Sequence, residues 1–171
     1  MCRFPERTVP ACLVRAAARD GDRVFLRYLE PTAPDAPARE VTFGGLRDLT
    51  ARALAWLEAV GVRAGDRVLL LAENSPEWQA VAVAAQTLQA EPAALFASLA
   101  ALPAQEIARR VSPRVLFVST EAQWQKLAPI AEELARGSLR AVLSTAPLTG
   151  APAGVIARTV AAALAEVALD R

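Results

Sequence analysis

The apolar positions of this chain change their spacing several times, and each change marks a new element. From Phe43 to Val60 they recur three and four residues apart. Leu46, Leu49, Ala53, Trp56, Leu57 and Val60 form one stripe, which predicts an amphipathic helix. Thr42 stands where a capping hydroxyl is wanted, and Gly61 where a helix stops. From Arg67 to Ala72 the spacing vanishes, because Val68-Leu69-Leu70-Leu71 is apolar at every position. A strand of that kind is covered on both faces, as in a parallel sheet between helix layers. Ser75-Pro76 then opens another helix, with a capping residue followed by proline at the first helical position. Trp78, Val81, Ala85 and Leu88 are its expected buried stripe.

The same alternation extends in both directions. Thr8 to Asp20 predicts a short helix stopped at Gly21, and Arg23 to Leu29 a strand. Pro31, Pro34 and Pro37 make the next stretch a loop. Arg39 to Thr42 predicts a short strand that pairs back as a hairpin. Further on come a strand over Pro92 to Phe96, a helix over Pro103 to Val111 and a buried strand over Arg114 to Val118. Thr120 with Gln123 has the pattern of a capping box, and Trp124, Leu127, Ala131 and Leu134 make the helix face beyond it. A strand is expected over Leu139 to Leu143, then a loop of Pro147, Gly150, Pro152 and Gly154. An alanine-rich helix over Val155 to Leu169 closes the pattern. The whole predicts one α/β domain over residues 1–171. Its core is a three-layer, largely parallel, Rossmann-like sheet flanked by helices, with a short N-terminal hairpin.

Composition narrows the chemistry. The 171 residues suffice for one domain with a real core. A net charge of +1 creates no field toward nucleic acid or an acidic membrane, so neither is expected as a partner. Lys126 is the only lysine, and alanine is heavily used; both suggest the codon bias of a GC-rich bacterial genome. No apolar run reaches the ~20 residues of a membrane helix. Met1 to Glu6 contains no apolar signal region, so no secretion signal is expected. Cys2 and Cys12 make no disulfide framework, which suits a reducing cytoplasm. The absence of histidine excludes Ser-His-Asp and Cys-His pairs and histidine-ligated zinc. Acid–base work would fall to carboxylates or Lys126.

Few segments look like sites. Gly150-Ala151-Pro152-Ala153-Gly154 lies between an expected strand and an expected helix, where a phosphate loop would sit. It lacks the Lys-Ser/Thr ending of such a loop and reads as an ordinary surface connection. Gly61 to Arg67 has glycines and arginines that suggest anion binding, but it reads more simply as a helix stop and a turn. Glu73-Asn74-Ser75 follows the carboxyl end of a parallel strand, where open α/β sheets bind ligands; its plainer reading is a helix cap. Glu73 with Glu77 or Asp66 is a conceivable carboxylate pair, which spacing does not fix. Trp56, Trp78 and Trp124 fall on apolar stripes and are expected in the core. Lys126 is expected in solvent.

Gly61-Val62-Arg63-Ala64-Gly65-Asp66-Arg67-Val68, followed at the right distance by Glu73-Asn74-Ser75-Pro76-Glu77-Trp78, resembles the first part of the adenylate-forming ligases. These are the AMP-binding enzymes that include acyl-CoA synthetases. Leu102 to Val118 resembles their later helix–strand unit. The likeness covers roughly residues 22–145. Pro76-Glu77-Trp78 and Trp124-Gln125-Lys126-Leu127 are most similar to the long-chain fatty acid branch. Two departures stand out. Glu91 occupies a crowded place where members carry a small residue, and Thr42-Phe43 replaces Thr-Tyr.

The resemblance implies an N-terminal subdomain of a ligase that uses ATP, magnesium and CoA. The family's phosphate loop, its acidic ribose ligand, its later arginine and its C-terminal catalytic lysine have no counterpart here. No catalytic, cofactor-binding or metal residue therefore carries over to a position of this chain. The expectation is an N-terminal fragment of an ATP-dependent acid–CoA ligase, inactive alone, whose partners are the remaining subdomains. Self-association through an uncovered face near Leu95 to Leu102 is expected of the isolated fragment. The alternatives are a free-standing scaffold or interaction domain derived from that family, and an unrelated Rossmann-like nucleotide binder.

Overall fold

A computed structural model describes residues 8–29, 35 and 37–166. The expected roles of Met1 to Glu6, of most of the proline loop and of residues 167–169 lie outside the described residues. Helix α1 (Val9–Asp20) is followed by a hairpin of β1 (Val24–Tyr28) and β2 (Arg39–Thr42). Then come α2 (Phe43–Ala59), β3 (Arg67–Leu71), α3 (Pro76–Thr87), β4 (Glu91–Leu95), α4 (Ala101–Val111), β5 (Val115–Val118), α5 (Glu121–Arg136), β6 (Ala141–Ser144), β7 (Ile156–Thr159) and α6 (Val160–Ala165). Strands β3 to β7 form one parallel sheet in the order β4-β3-β5-β6-β7.

The unbroken apolar strands do what their pattern predicts. Val68, Leu70, Phe117 and Leu143 pack on one side against α2, α3 and α6. Leu69, Leu71, Leu116, Val118 and Val142 pack on the other against α4 and α5. Side chains alternate between the two faces, and both faces are dry. A smaller cluster of Leu13, Val41, Leu46, Ala80 and Val83 fastens α1 and the hairpin to the outside of α2 and α3.

Local capping sets the element boundaries. Thr8, Thr42, Ser75 and Thr120 each accept a backbone N–H at the start of a helix. Thr120 and Gln123 complete the reciprocal capping box. The Gly61–Arg67 segment is likewise structural. Gly61 has φ +82°, and a Cβ there would stand 3.0 Å from an Arg114 amino group. Asp66 accepts the Arg63 N–H at 2.8 Å. Arg67 donates to the carbonyls of Val111 and Ser112 at 2.8 and 2.9 Å, closing the end of α4.

Three expectations need correction. Val155 onward does not begin a helix: Ile156–Thr159 is a strand paired with β6, and the helix starts only at Val160. The alanine content favoured a helix, but the Ile156 N–H finds the Arg140 carbonyl at 2.9 Å, and sheet pairing overrides propensity. Trp78 is half-buried at the margin of the core, whereas Trp56 and Trp124 are buried. Lys126 is not simply solvated. Its Nζ donates to the Ala97 carbonyl at 2.7 Å and pins the β4–α4 loop.

The two tryptophans should therefore differ. Trp124→Ala is expected to cost roughly 3–5 kcal/mol, as for a fully enclosed aromatic. Trp78→Ala is expected to cost about 1–2 kcal/mol, because only part of its surface leaves water on folding. Urea unfolding of both variants checks this; equal losses would place Trp78 in the core after all.

Candidate functional site

The chain runs from β3 outward to β4 and then returns across β3 to β5. The carboxyl ends of β3 and β5 therefore feed loops that part in opposite directions, and a crevice opens between them. Open α/β sheets bind ligands at such a switch point. Here the crevice has a volume of about 560 Å³. Its floor is polar: Glu73 and Ser75 follow β3, Ser119 and Thr120 follow β5, and Thr145 follows β6. Its walls are apolar: Leu49 comes from α2, and Val160, Ala161 and Leu164 from α6. The hairpin contributes Tyr28 and Arg39 at the rim.

Most of the polar groups are committed to holding this rim together. Ser119 Oγ accepts the Glu73 N–H at 2.6 Å, tying the two sides of the switch point. The Gln123 side-chain oxygen Oε1 accepts the Ser119 and Thr120 amides at 2.9 and 3.1 Å. Thr145 donates its hydroxyl to the Ser119 carbonyl. Arg39 pairs with Glu77 at 2.7 Å and lies over the Tyr28 ring, 5.5 Å from its centre. The loop after β6 is held by α5: the Trp124 indole donates to the Thr149 carbonyl at 2.7 Å, and Thr149 donates its hydroxyl to Glu121 at 2.8 Å. The Gln125 side chain, then the Thr149 hydroxyl, hold the Glu121 carboxyl below its usual range.

A second, smaller cleft of about 320 Å³ shares Glu73 with the first. Trp78 and Phe96 line it, and Phe96 is 84% exposed. Glu73 and Asn74 line it beside these two aromatic side chains.

The sequence candidates sort clearly. Glu73-Asn74-Ser75 does sit at the crevice, and Ser75 is also the cap it was expected to be. Glu73 and Glu77 both line the crevice. Asp66 precedes β3 at the opposite edge of the sheet and cannot pair with Glu73. Gly150–Gly154 precedes a strand, so no helix N-terminus faces it, and the phosphate-loop geometry is absent. Sequence reasoning missed Arg39, Tyr28, Ser119 and Thr145. Ser119-Thr120 directly follows an all-apolar strand, as Glu73-Asn74-Ser75 nearly does, and that parallel was an available signal.

A family model of the AMP-binding enzymes matches residues 13–163. The chain belongs to that family. Its structural counterparts include CoA-forming ligases. The acyl-CoA synthetase of Brucella canis superposes with a TM-score of 0.73 at 25% identity, over 98% of this chain and 29% of the other. The acetoacetyl-CoA synthetase of Streptomyces lividans gives 0.70 at 28% identity, over 86% and 24%. The N-terminal domain of FACL13 from Mycobacterium tuberculosis gives 0.69 at 22% identity, over 96% and 38%, and shares the fold. The chain thus spans about a quarter to two-fifths of these structures, and it resembles the N-terminal subdomain of acyl-CoA synthetases. No curated protein sequence matches it. Among the described residues no helix is long and apolar enough to cross a membrane.

Glu121 gives this rim a pH dependence. Its folded pKa is depressed, so its contribution is present above the unfolded value and is lost as pH falls through the folded one. Amide protection over residues 147–149 should therefore drop in acid, below the usual carboxylate range. Glu121→Gln should show that loss already at neutral pH, read by NMR exchange. Unchanged protection in the variant would mean the Trp124 bond alone fastens the loop.

Proposed function

We propose that this chain is the N-terminal portion of an ATP-dependent acid–CoA ligase acting on a fatty acid in the cytoplasm. The parent joins a carboxylate to the AMP part of ATP, releases pyrophosphate, and passes the acyl group to the CoA thiol with release of AMP. The family match over residues 13–163 carries this reading.

The local chemistry defines the chain's share. Magnesium and the triphosphate do not fit the crevice as it stands. Glu73 and Glu77 would repel phosphate, and Arg39, the one cation lining it among the described residues, is paired with Glu77. Among the described residues no group of three or more acidic, Cys or His side chains could hold a metal. No step of phosphate chemistry is therefore assigned to this chain. CoA fits better, since Trp78 and Phe96 offer stacking faces to its adenine ring. The crevice would supply one wall of a larger site, and the remaining subdomains the phosphate-binding groups.

The isolated chain is expected to give neither ATP–pyrophosphate exchange nor acyl-CoA with fatty acids. Joined to the rest of its parent, it is expected to support both. Acyl-CoA formation by the isolated chain would overturn the division of labour. Absence of exchange from the joined protein across acids of all chain lengths would overturn the ligase reading.

Phe96 and Leu102, 84% and 75% exposed, extend the apolar run of the edge strand β4 into solvent. On the isolated chain we propose a second copy as their cover. Light scattering over a concentration series should show a mass rising above the monomer, and Phe96→Ser should lower it. A strict monomer at high concentration would remove this surface from the reading.

A further inference from the structure

Helix α5 reaches toward both clefts. Two residues along a helix amount to about 200° of turn, so Trp124 and Lys126 leave α5 on nearly opposite sides. The Trp124 indole holds the loop after β6, whose first residues line the crevice. Lys126 Nζ reaches the other way and donates to the Ala97 carbonyl at 2.7 Å, in the loop between β4 and α4. Ala97 and its neighbour Phe96 line the second cleft together with Glu73 and Trp78.

Little else fixes that loop. Hydroxyls of Ser75 and Thr120 cap α3 and α5, but α4 begins after Ala100, which makes no side-chain cap. The Leu99 amide closes a turn onto the Phe96 carbonyl at 2.9 Å, and Leu99 packs in part against the core. Phe96 stands mostly in solvent, so its ring anchors little. Among the described residues no side chain but that of Lys126 hydrogen-bonds to residues 96–100.

The base of this tether is firm. Trp124 and Leu127 on either side of it are fully buried. The Lys126 carbonyl accepts the Gln105 side-chain N–H at 2.8 Å, which joins α5 to α4. A charged donor mounted on a packed helix therefore holds a weakly packed loop, and such a bond is stronger than one between neutral groups.

We propose that Lys126 is a positioning residue whose ammonium clasps the β4–α4 loop and so sets the width of the second cleft. With the clasp made, Phe96 and Ala97 stay beside Trp78 as one wall of the cleft. With it released, the turn at Leu99 loosens and the cleft opens. The clasp works within this chain alone and is independent of the ligase reading.

The test is amide exchange by NMR in the wild type, Lys126→Met and Lys126→Arg, with acrylamide quenching of tryptophan emission alongside. Methionine keeps the apolar length of the stem and removes the donor. Exchange at the Leu99 amide should rise roughly tenfold in Lys126→Met, as for one lost hydrogen bond from a charged group, while exchange at Thr149 keeps its wild-type rate. Lys126→Arg retains a charged donor and should restore most of the protection. Quenching should rise in Lys126→Met, because Trp78 shares the cleft while Trp56 and Trp124 are buried. An unchanged Leu99 rate in Lys126→Met would overturn the clasp. So would a Thr149 rate raised as much as that of Leu99, which marks a general loss of stability. Faster Leu99 exchange without added quenching would overturn it too, since the cleft would not have moved.

Discussion

Leu69, Leu70 and Leu71 have no solvent on either side, and the rest of the molecule follows from that. A central strand that is apolar at every position needs a helix layer above and another below. The alternation of side chains hands Leu70 to α2 and α3 and hands Leu69 and Leu71 to α4 and α5. Right-handed crossovers then put α3 on one face and α4 and α5 on the other. The return from β4 to β5 across β3 then creates the switch point. The crevice is a consequence of burying this strand twice.

The two ends of the sheet are built differently. At the amino edge the helices end, and their carbonyls need donors. Arg63, Arg67 and Arg140 supply them, which explains why arginines recur just before the apolar strands. At the carboxyl edge the helices begin, and Ser75, Thr120 and Thr159 supply acceptors instead. Hydroxyls and carboxylates therefore collect around the crevice while guanidinium groups collect at the far end. Arg39 reaches the crevice from the hairpin, outside the sheet.

This polarity bears on the proposed division of labour in a ligase. The crevice occupies the position where a nucleotide binds in open α/β sheets, yet its charged lining is mainly acidic. A site for a polyanion would have to be completed from elsewhere. What this chain contributes is shape, an aromatic lining at Trp78 and Phe96, and a rim held by Ser119, Thr145 and Gln123.

The sequence by itself determined the layered fold. The stripe on α2, the apolar runs of β3 and β5, and the caps at Thr42, Ser75 and Thr120 all lie within one turn or one strand of the residues that read them. Such local signals survive in the linear pattern. The turn from Gly61 to Arg67 was legible for the same reason, and so was the placing of Glu73-Asn74-Ser75 at a strand's carboxyl end. The tertiary structure alone decided what depends on distant partners. Ile156–Thr159 became a strand because β6 offered an open edge, against its alanine-rich surroundings. Lys126 turned inward because the Ala97 carbonyl lay within reach. Arg39 and Tyr28 reached the crevice because the hairpin packs outside α2. No spacing along the chain encodes those encounters, since each joins residues brought together only by the crossovers.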